Sequence, residues 1–137
     1  MFDIHIRLDD KPGELGRFGE AMGAAGISIE GGGVFTTGRD GQAHFLVENG
    51  EKASRAAQVA GLEVVAIREV LVRRLRQDEP GQLGAIGKQL GEAGVNIVTM
   101  YSDHANRLIL VTDDSDRARA VTEEWRPDCD REGPRSA

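Results

Sequence analysis

Two six-residue stretches carry the best candidate chemistry in this chain: DKPGEL, from Asp10 to Leu15, and DEPGQL, from Asp78 to Leu83. Each reads Asp-x-Pro-Gly-x-Leu at the junction of an alternating strand-like run and a helical run. A helix N-terminus presents unpaired backbone N–H groups and the positive end of the peptide dipole. Such a turn is therefore suited to holding an anion, a carboxylate above all. Gly13 and Gly81 let the backbone come close to a ligand because they have no Cβ. Pro12 and Pro80 stiffen the turn and suit the first helical position, where a missing N–H costs nothing. Asp10 and Asp78 either brace the loop by accepting a backbone N–H or pair with an amino group. Asn96 offers a donor and an acceptor together, and it equally suits a strand-start residue bonding its own backbone.

No catalytic or metal constellation stands beside these loops. His5, His44 and His104 lie on separate predicted elements without metal-ligand spacing. Cys129, the only cysteine, lies in a polar tail and rules out a disulfide framework or a cysteine metal cluster. Gly31-Gly32-Gly33 lacks a following Lys-Ser/Thr and opens no helix, so it is read as a bulge or bend in an edge strand and not as a phosphate loop. Lys52 with Arg55, and Arg117 with Arg119, read as solvated helix faces. The expectation is a protein that is no enzyme and needs no cofactor or metal.

The elements that must position the two loops are written twice. One offset carries Pro12 to Pro80, Gly13 to Gly81, Leu15 to Leu83, Phe18 to Ile86, Met22 to Leu90, Gly26 to Gly94 and Ile29 to Ile97. The fold can therefore be argued once and applied twice. Each unit opens with a strand: Ile4, Ile6 and Leu8 alternate with His5, Arg7 and Asp9. Leu15, Phe18, Met22 and Ala25 form a helical stripe, repeated by Leu83, Ile86, Leu90 and Ala93. Gly26 and Gly94 suit helix stops. Second strands follow (ISI; VNIVTM), then the turns GRDG and SDHAN, then third strands (HFLVE; RLILVT). Lys52 to Ala60 and Ser115 to Trp125 read as second helices, and Glu63 to Ile67 as a fourth strand. The order β-α-β-β-α-β predicts an α+β fold of two ferredoxin-like units side by side, antiparallel sheets with both helices on one face. LILV is apolar on both faces, as a central strand or a doubly covered sheet requires. The expected boundaries are 1–68, 69–125 and a disordered tail, 126–137. A glycine stripe, Gly16–Gly19–Gly23, recurs as Gly84–Gly87–Gly91. It implies close approach to a helix or ligand, or, as the favoured expectation, tight packing on the unit's own sheet or between units.

With 137 residues, 39% hydrophobic content, a net charge of −6 and a pI near 5.1, the chain suits one compact domain or two very small ones. An acidic balance argues against binding a phosphate backbone. No apolar run has the length of a membrane span, and the N-terminus is no signal peptide, so a cytoplasmic location is expected, with no nucleic-acid or membrane partner.

With Asp-x-Pro-Gly-x-Leu at the first strand–helix junction and Gly-Val-Asn-Ile (Gly94–Ile97) opening the second strand, the chain resembles the ACT domain family, over roughly Phe2 to Trp125. The resemblance implies an allosteric, regulatory module that binds an amino acid. It implies a ligand held between the first loop of one domain and the second strand of its neighbour. One site would then combine Asp10, Gly13, Glu14 and Leu15 with Asn96. The other would combine Asp78, Gly81, Gln82 and Leu83 with Ser28, which occupies the Asn96 position. Ser28 offers less than an amide, so the site with Asn96 is the first choice. Arg76, four residues before its proline, either holds a ligand carboxylate by two parallel hydrogen bonds or turns to water beside a bulge. The resemblance also admits a regulatory subunit whose main work is to hold a partner enzyme of amino-acid metabolism. A small ferredoxin-like enzyme is the remaining alternative, disfavoured by the missing acid–base groups.

After Trp125 the chain reads RPDCDREGPRSA, which has a proline, many charges and no apolar alternation. Unit two is therefore expected to lack a regular fourth strand or to have only a short one. Its first strand, Val70 to Arg76, would then lie at an open edge guarded by Arg73, Arg74 and Arg76. Alternatively a second copy of the chain covers that edge and the protein is a homodimer.

Overall fold

A computed structural model describes residues 1–127. The described chain divides into two compact units, the first Met1–Val70, the second beginning at Leu71.

Unit one runs β1 (Phe2–Asp9), α1 (Glu14–Ala24), β2 (Gly31–Thr37), β3 (Asp40–Val47), α2 (Gly50–Val59) and β4 (Glu63–Glu69). Its sheet has the order β2-β3-β1-β4, antiparallel throughout. The alternation read in β1 does what period-two patterning requires: Ile4, Ile6 and Leu8 are buried. They pack with Phe18 and Met22 of α1 and with Ala53 and Ala57 of α2 in one core. Phe18 stacks on Phe45 of β3, ring centroids 5.0 Å apart.

Unit two runs β5 (Leu71–Arg73), α3 (Gln82–Glu92), β6 (Ile97–Ser102), β7 (Leu108–Thr112) and α4 (Ser115–Val121), then a 3-10 turn, Glu123–Trp125. Among the described residues its sheet has three strands in the order β5-β7-β6. β7 is the central strand, and Leu108, Ile109, Leu110 and Val111 are all buried, which accounts for its apolar residues at every position. The question of a fourth strand falls mainly on residues 128–137, which lie outside the described residues, as does most of the expected disordered tail.

Several expectations need correction. The second strand of unit one is not Ile27–Ile29 but Gly31–Thr37; the ladder begins only at the Gly31–Leu46 pair. The triple glycine thus forms part of the edge strand itself, and its register runs on to Thr37–Asp40 without a bulge. Pro12 and Pro80 do not occupy the first helical position. Gly13 and Gly81 are the N-caps, in left-handed conformations with φ of 93° and 90°, and each proline sits one residue further out. The helix expected over Ser115–Trp125 stops at Val121 and tightens into the 3-10 turn. Val70 belongs with unit one, where its N–H donates to the carbonyl of Met1.

Arg73 is no edge guard. It is 4% exposed. Its Nε donates to Thr122 Oγ1 at 2.7 Å and its Nη2 to the carbonyl of Arg119 at 3.0 Å, so it satisfies the C-terminal end of α4. The next residue, Arg74, donates its backbone N–H to the carbonyl of Trp125 at 2.7 Å. The 3-10 turn therefore occupies part of the edge that the sequence reading left open.

The glycine stripes do not pack tightly on their own sheets. A Cβ at Gly16, Gly19, Gly23, Gly84, Gly87 or Gly91 would meet nothing within 4 Å. The helix-propensity cost of these glycines is thus not offset by close packing there. Gly16→Ala, Gly19→Ala and Gly23→Ala are each expected to stabilise the isolated protein by about 0.5–1 kcal/mol. Chemical denaturation of the three variants checks this; a loss of stability in all three would mean that the glycine face is packed after all.

Candidate functional site

The two Asp-x-Pro-Gly-x-Leu loops have the same backbone. Each ends in a left-handed glycine N-cap with no side-chain cap, so the N–H groups of the first turn meet no capping oxygen. The other two helices differ. Asn49 caps α2 by accepting from the N–H of Lys52, and Asp114 caps α4 by accepting from the N–H of Arg117, both at 3.1 Å. The uncapped termini are therefore the doubled ones. Leu15 and Leu83 stand exposed beside them, at 50% and 54%.

The side chains around the two termini are arranged differently. In unit one Asp10 is exposed, and its backbone N–H donates to the carbonyl of Arg39. Glu14 is buried against Arg17, which donates to its carboxylate at 3.1 Å and also to the carbonyl of Ala60 at 3.2 Å. Glu14 thus ties the start of α1 to the end of α2. In unit two Asp78 is exposed. Gln82 is held on three sides: its Oε1 accepts from Trp125 Nε1 at 2.9 Å and from Arg76 Nη1 at 3.3 Å, and its amide donates to Glu79 at 3.2 Å. Arg76 also lies 3.8 Å from Glu79 and 3.7 Å from Glu124. It is half-exposed and leans on its own loop, an arrangement that neither of the two sequence readings described.

Asn96 and Ser28 begin the stretches that lead into β6 and β2. The Asn96 N–H donates to Asp113 Oδ1 at 2.8 Å, and its carbonyl accepts from the Asp113 N–H at 3.1 Å. The backbone is anchored by a neighbouring carboxylate, and the residue is exposed. Ser28 is exposed too, at the rim of a polar cleft of about 420 Å³ that also includes Glu48, Asn49 and Lys52. Lys52 was read as part of a solvated face; it lines this cleft. Arg117, read likewise, donates its Nε to the carbonyl of Ala93 at 2.7 Å.

Sequence reasoning missed a polar cluster on unit one's sheet. The histidines on β1 and β3 are in register, and the rings of His5 and His44 stack with centroids 4.1 Å apart. His44 Nδ1 lies 2.9 Å from the fully buried Asp3, and His5 Nε2 lies 2.6 Å from Gln42 Oε1. Burial pushes the His5 imidazole below its ordinary range; the Gln42 bond opposes this, and the neighbouring His44 and Arg68 add to the depression. Only strand register brings these residues together, so spacing along the chain held no signal. Among the described residues no group of three or more His, Cys, Asp or Glu could hold a metal ion. No described helix is long and apolar enough to cross a membrane.

No protein-family model matches the chain, nor does any curated protein. Solved structures do. A protein from Bacteroides thetaiotaomicron superposes with a TM-score of 0.76 at 23% identity, over 90% of this chain and 86% of the other. The ligand-free regulatory subunit of aspartate kinase from Thermus thermophilus gives 0.65 at 17% identity, covering 89% and 88%. The corresponding subunit from Thermus flavus gives 0.67 at 15%, covering 90% of each chain. At these identities the likeness is one of fold.

Proposed function

Because the chain has the ACT-domain fold, we propose that it is a non-catalytic regulatory protein that binds an amino acid between the first loop of one unit and the second strand of the other. The observation that carries this is the contrast in capping. α1 and α3 start at left-handed glycines with no side-chain cap, whereas α2 and α4 are capped by Asn49 and Asp114. A ligand carboxylate at an uncapped terminus would satisfy the N–H groups that no side chain reaches. The ligand set is Asp10, Gly13, Glu14 and Leu15 with Asn96. The second set is Asp78, Gly81, Gln82 and Leu83 with Ser28, and Arg76 beside it. Gln82 is held by Trp125, Arg76 and Glu79, which favours the first set as the working site.

A thermal-shift screen against the common L-amino acids at millimolar concentration tests the reading. A ligand at about 100 times its Kd adds about 2.7 kcal/mol of stability. At the Asn96 site, Asn96→Ala is expected to weaken binding about tenfold or more, the worth of a hydrogen bond to a charged group, while Ser28→Ala changes binding at that site little. If calorimetry finds equal small effects, Asn96 is not a ligand residue. If no amino acid shifts the melting temperature, amino-acid binding is excluded.

A second reading follows from the structural neighbours whose names describe regulatory subunits of aspartate kinase. In it the chain chiefly holds a partner enzyme of amino-acid metabolism. Affinity capture on the chain with and without amino acids separates the two readings.

A further inference from the structure

The polar cleft of unit one opens where α1 hands over to β2, and it is lined by Ser28, Glu30, Glu48, Asn49 and Lys52. Unit two has the same corner and bonds across it with its own side chains. The helix stops Gly26 and Gly94 and the N-caps Asn49 and Asp114 match the two corners. On that matching Ser28 corresponds to Asn96, Glu48 to Asp113 and Lys52 to Arg117. In unit two the Asp113 carboxylate accepts the Asn96 N–H at 2.8 Å. The Asp113 N–H returns a bond to the Asn96 carbonyl at 3.1 Å. The Arg117 guanidinium donates to the carbonyl of Ala93, beyond the end of α3, at 2.7 Å. An anion thus sits on a strand-start N–H, and a cation sits at a helix C-terminus, where the dipole favours it. Among the described residues none of these three bonds has a counterpart in unit one. Ser28 makes no hydrogen bond there, and the Lys52 ammonium has no ion pair. What unit two supplies from its own side chains, unit one leaves as open space with both signs of charge at the rim.

We propose that this cleft, wholly within unit one, is an α-amino-acid site. The ligand carboxylate takes the place that Asp113 holds in unit two, on the Ser28 N–H and hydroxyl and beside the Lys52 ammonium. The α-ammonium takes the place of the Arg117 guanidinium at the end of α1, with Glu30 and Glu48 as its counter-charges. The inference shares its ligand class with the reading above but not its location, and it does not depend on pairing between units.

Amide-resolved NMR of the full chain, titrated with the common L-amino acids one at a time, tests it. At least one amino acid is expected to move the Ser28 amide saturably. The double variant Glu48→Asp, Lys52→Arg gives unit one the closing side chains of unit two. It should weaken that response about tenfold or more, the worth of one lost bond to a charged group. Lys52→Gln, an exposed change that leaves the core alone, should weaken it as well, so a folding defect in the double variant cannot decide the matter. Asn96→Ala should leave the Ser28 response intact. An amino acid that binds, leaves the Ser28 amide unmoved and is lost in Asn96→Ala overturns the cleft and keeps the inter-unit site. A Ser28 response that survives both Lys52 variants also overturns it. No amide movement with any amino acid overturns both.

Discussion

Gly32→Ala is expected to destabilise unit one by about 3–5 kcal/mol, combining backbone strain with overpacking. Gly32 has a φ of 136°, a region that L side chains rarely adopt. A Cβ there would lie 2.1 Å from the carbonyl oxygen of His44 and 2.8 Å from the Cα of Phe45. Both are backbone atoms of the neighbouring strand, so no side-chain rotation relieves the clash and β2 must lift from β3. Phe45 stacks on Phe18, so the disturbance reaches the core. Ser28 and Glu30 lead directly into β2, so the cleft should be lost with the register. Gly38→Ala is the control: φ is 65° and a Cβ meets nothing within 4 Å. It should cost only the left-handed backbone penalty of about 1–2 kcal/mol. Chemical denaturation of both variants is the measurement, and a Gly32→Ala protein no less stable than Gly38→Ala would refute the argument.

Arg73→Ala is expected to cost about 3 kcal/mol or more. The change takes the donor from two short hydrogen bonds inside unit two, besides a longer one to the carbonyl of Val72, and each hydrogen bond from a charged group is worth about 1.5–3 kcal/mol. The acceptors of the two short bonds are Thr122 Oγ1, in a fully buried residue, and the carbonyl of Arg119. Thr122 donates in turn to the carbonyl of Ala118 at 2.7 Å, so the loss falls on the end of α4. Arg73→Met keeps an apolar stem and should recover part of the packing without the bonds. The 3-10 turn that follows carries Trp125, whose indole N–H holds Gln82. Loosening it should therefore free Gln82 at the second Pro-Gly loop, visible as a shifted Gln82 side-chain amide signal. Urea denaturation within about 0.5 kcal/mol of the parent for both variants, the usual range of surface changes, would show that Arg73 is not structural.

The α+β class was legible because it depends on local rules. Period-two alternation put Ile4, Ile6 and Leu8 in the core, and the helical stripe did the same for Phe18 and Met22. Where a longer-range rule was at work, the reading slipped. The triple glycine suggested a bulge, yet the structure has a regular strand in which Gly32 is dictated by a carbonyl on the next strand. Three arginines after Val70 suggested an exposed edge. Whether an arginine faces water or a helix end depends on where α4 stops, and that is not written near Arg73.

What the sequence determined by itself, then, is the pair of strand–helix junctions at the Asp-x-Pro-Gly-x-Leu loops, though not the residue at which each helix starts. The left-handed turn at Gly13 and Gly81 needs only a residue without a Cβ at the right step. The tertiary structure alone decided that Asp113 and Arg117 bond across one corner while Glu48 and Lys52 leave its twin without those bonds. It also decided that His5 meets His44 and that Trp125 holds Gln82. Those outcomes depend on strand register and on the packing of helices far apart in the chain. A hydrogen bond is made or missed within a few tenths of an ångström, a precision that residue types and spacing do not carry.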